Sequence, residues 1–146
     1  MHRLALSAAA AALALAGFAT VAHGTGGPAP PVIHERFTLL PCPASKPDKS
    51  QLDLEGCAEH DIVRTDHKID ALAKTVFGLL PDTAARQRFV TAQRAWLAFR
   101  TADCLSVSDK YEGGTLAALV DATCTADRST QHLKELRAFA RLLQTP

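Results

Sequence analysis

The chain has 146 residues and a mass of 15.6 kDa, room for one domain and too little for two cores of ordinary size. Its 16 Lys+Arg against 15 Asp+Glu leave a formal charge of +1, which argues against a general nucleic-acid binder with its basic excess for phosphates. Hydrophobic residues make up 47% but aromatics only 5%, so any core must be built from aliphatic and small side chains.

The first segment has the three parts of a secretory signal. Arg3 supplies the positive end, Leu4 to Ala16 is an uncharged apolar run, and small residues follow through Gly17, Ala19, Thr20 and Ala22. The run is shorter than the ~20 helical residues that cross a bilayer. Residues 1–22 are therefore expected to be a signal peptide, cleaved after Ala22 or Gly24, and the protein to be periplasmic or secreted. Removing them takes away Arg3 and leaves basic and acidic residues in balance.

Residues 24–31, Gly-Thr-Gly-Gly-Pro-Ala-Pro-Pro, suit neither helix nor paired strand, because glycine costs backbone entropy and proline lacks the donor. The stretch 23–41 is expected to be a flexible Gly/Pro-rich linker. Pro41, Pro43 and Pro47 then keep the chain irregular to Ser50, tied down at Cys42, and the folded domain is expected over 42–146.

Beyond Cys57 the spacing becomes helical. Ile62, Ile69, Leu72, Val76 and Leu80 share one helix face. Pro81-Asp82 ends that helix, and Asp82 is placed to cap the next. A second stripe runs through Phe89, Gln93, Trp96, Leu97, Arg100 and Cys104, and Gly113-Gly114 marks a turn. The third comprises Leu116, Leu119, Val120, Cys124, Leu133, Leu136, Ala140 and Leu143. Strand-like alternation is nowhere strong. The expected fold is all-α, a small three-helix bundle with an irregular N-terminal arm.

Cys42, Cys57, Cys104 and Cys124 are an even set in a chain marked for export, which favours disulfides. They lack the close C-x₂₋₄-C pairs of zinc sites, so no metal and no cofactor is expected. Sequential pairing would close two modest loops worth ~3 kcal/mol each, although three pairings are open to four cysteines. His60 and His67, with Asp70 just beyond, lie two turns apart; ~10.5 Å of helix rise is too far for one ion to take both imidazoles comfortably.

The string Gln93-x-x-Trp96-x-x-x-Arg100-x-x-x-Cys104, then Tyr111-Glu112-Gly113-Gly114 and Cys124, resembles the LprI-like family, named after a mycobacterial lysozyme inhibitor. The resemblance runs from about Cys42 to Leu143 and implies an exported, cysteine-bearing helical protein. Many relatives carry Asn and Tyr where this chain has Asp70 and Ala73, and an arginine near the position of His132.

Gln93, Trp96, Arg100 and Cys104 form one helical stripe, and the plain reading is a structural seam. In it Trp96 fills the core, Arg100 pairs with Asp66 or Asp70, and Cys104 staples the turn. The segment from Leu105 to Thr115 is the expected recognition loop, with Ser106, Ser108, Lys110, Tyr111 and Glu112 as candidate contacts to a partner. A bridge between Cys104 and Cys124 would stiffen its base, and Tyr111 offers contact area. If the loop entered the cleft of a lysozyme, Lys110 or the serine hydroxyls could meet its catalytic carboxylates. The competing reading is that Tyr111 folds back on the bundle and Gly113 and Gly114 only turn the chain. The acidic stretch Asp53, Glu55, Glu59 and Asp61 could meet a basic partner or simply be a solvated helix face.

No G-x-S-x-G, H-E-x-x-H, P-loop or dinucleotide fingerprint is present, so a non-catalytic protein is expected. The resemblance implies a lysozyme inhibitor acting by protein–protein binding. The alternative is a periplasmic accessory or envelope-stress domain whose partner is another exported protein.

Overall fold

In a computed structural model, residues 26–34 and 39–145 are described. The expected signal peptide lies outside them. Helix α1 spans Gln51–Leu79, α2 Thr83–Ser108 and α3 Leu116–Gln144, with a 3-10 turn at Asp109–Tyr111 between the last two. There is no strand among the described residues, so the all-α three-helix architecture stands.

Helix α1 starts earlier than its apolar spacing indicates, at Gln51 and not beyond Cys57. The cause is a capping box. Ser50 Oγ accepts from Asp53 N at 3.2 Å, and Asp53 Oδ2 accepts from Ser50 N at 2.8 Å. Lys46 adds an ion pair to the same carboxylate, and these bonds hold the Asp53 carboxyl down at about 2. At its other end α1 stops at Leu80, whose extended conformation is what a following proline demands. Asp82 then caps α2 as expected, its Oδ1 accepting from Ala85 N at 2.6 Å.

Helices α1 and α3 run parallel. Gln51 and Thr115 meet at one end, Asp66 and Ser129 share Arg100 in the middle, and Val76 and Leu136 belong to one core at the other. Their backbones pack along their length; α2 lies antiparallel against α3 and reaches α1 chiefly through long side chains. The core gathers Ile69, Ala73, Val76 and Leu80 of the first helical segment with Phe89 of α2 and Leu133, Leu136 and Ala140 of α3. Each fully buried aliphatic side chain there contributes roughly 1.5–3 kcal/mol.

Both disulfides are sequential, Cys42–Cys57 and Cys104–Cys124. The first anchors the N-terminal arm to α1. Within the stretch read as a linker, Ile33 N donates to Asp70 Oδ1 at 3.0 Å and Leu40 N to Glu59 Oε2 at 2.7 Å, while His60 Nε2 donates to Leu40 O at 3.1 Å. Gly56 makes this approach possible: a Cβ there would sit 2.5 Å from the Pro41 carbonyl oxygen. No helix among the described residues is long and apolar enough to cross a membrane.

Candidate functional site

The motif residues of α2 form one continuous seam down the bundle. Gln93 Oε1 accepts from His132 Nε2 at 2.8 Å. One turn on, Trp96 stacks on the His132 ring with centroids 3.8 Å apart and planes 10° from parallel. The Arg100 guanidinium lies 5.0 Å from the Trp96 ring centroid. Its Nη1 donates to Asp66 at 2.8 and 3.1 Å and to Ser129 Oγ at 2.5 Å. Cys104, fully buried, closes the row by its bridge to Cys124.

Asp66, not Asp70, is thus the carboxylate that Arg100 meets; Asp70 instead holds the arm at Ile33. Arg100 is 0% and Asp66 7% exposed, so each charge depends on the other for the solvation that water would have given. Trp96 departs from its expected place. It is half-buried at the edge of the core, with His132 on its face. Burial pushes the His132 imidazole below its usual range, the nearby Arg100 charge adds to this, and Glu135, with an oxygen 3.7 Å from Nδ1, opposes it. Ser129 and His132 were not legible as members of the seam, because polar residues scattered along α3 carry no hydrophobic period.

The segment read as a recognition loop is half helix. Ser106 and Ser108 belong to the last turn of α2, and both hydroxyls donate to their own helix, to Asp103 O at 2.9 Å and Leu105 O at 2.8 Å. Ser108 is only 8% exposed, so its hydroxyl is not presented outward, whereas Ser106 is exposed. Lys110 and Glu112 are exposed and Tyr111 is half-buried. The Lys110 ammonium lies 5.8 Å from the centroid of the Tyr111 ring, so the two form one cation–π unit. Gly113, at φ +76°, supplies the left-handed conformation that ends the turn. A Cβ on Gly114 would lie 3.2 Å from the Tyr111 carbonyl oxygen, the same oxygen that accepts its amide.

The acidic stretch separates into two pairs. Asp53 is spent on the helix cap and Asp61 on Arg64 of the next turn. Glu55 and Glu59, one turn apart on α1, line a cavity of about 470 Å³ between α1 and the C-terminal part of α2, with α3 beneath. Asp121 of α3 lines it too, and burial raises its carboxyl above the usual range.

Of the histidines weighed as metal ligands, His60 is bonded to the arm and His67 is exposed. Asp103, Cys104 and Cys124 bring three donor atoms within 4.8 Å of one another, but the two sulfurs are joined to each other.

No solved structure matches the chain. An uncharacterized protein of Rhizobium meliloti (strain 1021) is 26% identical over 115 residues, which cover 68% of this chain and 83% of that protein. The profile of a family described as lysozyme inhibitor LprI matches residues 42–136. That span takes in the first disulfide, α1, the whole α2 seam and the part of α3 that carries Ser129 and His132, and on it the chain belongs to the LprI family.

Proposed function

We propose that the protein is an exported inhibitor of lysozyme that acts by binding and has no catalytic step of its own. Membership of the LprI family over 42–136 carries this reading. Two disulfides suit an oxidising compartment outside the cytoplasm, periplasmic or beyond, as the N-terminal signal pattern also implies. Lys110 and Tyr111 offer a cationic aromatic projection on a turn whose base the Cys104–Cys124 bridge restrains. Such a turn loses little entropy when it docks.

Protein purified from an oxidising compartment should slow the lysis of bacterial cell walls by lysozyme. The double substitution Lys110→Ala/Tyr111→Ala should weaken inhibition about tenfold, the loss of one well-made contact. No slowing at micromolar excess against several lysozyme types overturns the reading. The alternative, an accessory domain for another exported protein, draws support from the balanced charge, which supplies little long-range attraction for a single basic enzyme. Recovery of one specific envelope protein by affinity capture, without inhibition, would favour it.

A further inference from the structure

We infer that the cavity between α1 and α2 is a docking groove for a lysine or arginine side chain projecting from a protein partner. The inference rests on the binding reading above but assigns it a different surface from the Lys110–Tyr111 turn.

The groove exists because α2 stands off α1. Their backbones make little contact, and at the far end of the bundle the space is filled by Phe89 and Trp96. At this end α3 contributes Ala118, Ala122 and Thr125, side chains too small to fill it, and a cavity of about 470 Å³ remains. That lies within the range of roughly 300–1,000 Å³ typical of ligand sites.

Its lining combines two chemistries. Ile62, Leu105 and the alanines are apolar, and Leu105 is 52% exposed at the rim. Leu52, 57% exposed, lies on the same face of α1 as Glu55 and Glu59. Against them stand three carboxylates, Glu55, Glu59 and Asp121. Glu55 and Asp121 have no ion-pair partner among the described residues, and Glu59 is bonded only through Oε2 to Leu40 N. Arg100, the one cation of the lining among the described residues, is 0% exposed and paired with Asp66. The groove is therefore anionic with apolar walls. An aliphatic stem ending in a positive charge matches both features at once. Neutral apolar segments would leave three carboxylates desolvated, and anions would be repelled. Burial raises the Asp121 carboxyl, and a cation docked beside it would oppose that shift by favouring the carboxylate.

The test uses isotope-labelled protein with both disulfides formed and two probes, Nα-acetyl-lysine methylamide and its Nζ-acetylated counterpart, which keeps the stem and loses the charge. The expected result is saturable amide shifts confined to residues around Glu55, Leu105, Ala118 and Asp121, with binding about tenfold weaker for the neutral probe. Glu55→Gln/Asp121→Asn should weaken the charged probe to the same degree, and Ala118→Met should block the groove by filling it, without altering a charge. Thermal melts matching wild type establish that each variant is folded. Shifts scattered over the surface, equal shifts with both probes, or no shifts overturn the inference.

Lysozyme assays separate it from the broader reading. Inhibition that survives both variants, with no lysine probe bound, removes the groove and leaves the inhibitor. Probe binding in the groove without inhibition does the reverse.

Discussion

The two ends of this bundle are held by different means. At one end, where α1 and α3 finish and α2 begins, Ile69, Val76, Leu80, Phe89, Leu133 and Leu136 form an apolar core, and Phe89 and Phe139 rings lie 6.3 Å apart. At the other, α3 presents only Ala118, Ala122 and Thr125 to the groove, and cohesion comes from Cys42–Cys57 and Cys104–Cys124. The difference shows how a chain of few aromatics divides its resources. Apolar volume stabilises one end by burial, and covalent bonds stabilise the end where a groove is left open.

Arg100 sits at the border, and removing it should break the distinction. Arg100→Ala leaves Asp66 buried without its cation and should cost roughly 3–5 kcal/mol in denaturant unfolding. Arg100→Lys should rescue only part of this, because an ammonium cannot both stack on Trp96 and reach Asp66 and Ser129 as the planar group does. A melt of Arg100→Ala indistinguishable from wild type would show the pair to be dispensable.

The next effect sharpens the comparison. Cys104→Ala/Cys124→Ala should lower stability by about 3 kcal/mol in the chain-entropy account. Its imprint should be uneven: amide hydrogen exchange should speed up around 101–125, while Val76 and Leu136 keep their protection until global unfolding. Uniform acceleration would mean that both ends open as one unit.

The smallest effect concerns pH. The folded His132 imidazole titrates below its ordinary value of 6.5, so on acidification the unfolded chain takes up this proton first. Its contribution to stability is complete above 6.5, is lost as pH falls through the window beneath, and levels off once the folded ring is protonated. His132→Phe, which keeps an aromatic face for Trp96, should flatten the profile there. An unchanged slope would refute the assignment.

The apolar stripes and the sequential cysteine bridges were legible in advance, and the helical turns and inward polar residues around the groove were not, for a physical reason. Ile62, Ile69, Val76 and Leu80 repeat with the period of a helix and are buried in the structure, and Leu133 and Leu136 behave likewise. The first turns of α1 carry Asp53, Glu55, Gly56 and Cys57, residues with no apolar stripe, so their helicity was hidden. Ser50 and Asp53 were the available clue, a capping box with aspartate where glutamate or glutamine is usual. Leu105–Ser108 looked like a loop because its side chains are polar or exposed, yet it completes α2. Of the site, Gln93, Trp96, Arg100 and Cys104 were readable as one stripe from their spacing. Ser129, His132 and Asp121 became visible only when α3 was laid beside α2, since a polar residue facing inward has no signature until its partner is known.

The parallel pairing of α1 with α3 also governs the order in which the chain can assemble. The surface that covers Ile69 and Val76 lies on a helix beginning at Leu116, well after α1 has been synthesised. A nascent α1 with α2 alone therefore has no lasting cover for its apolar stripe, and contacts this distant in sequence form late. Cys42 and Cys57, only 15 residues apart, can join before α3 arrives. Their bridge gives the chain one early fixed point, around which the last helix completes the fold.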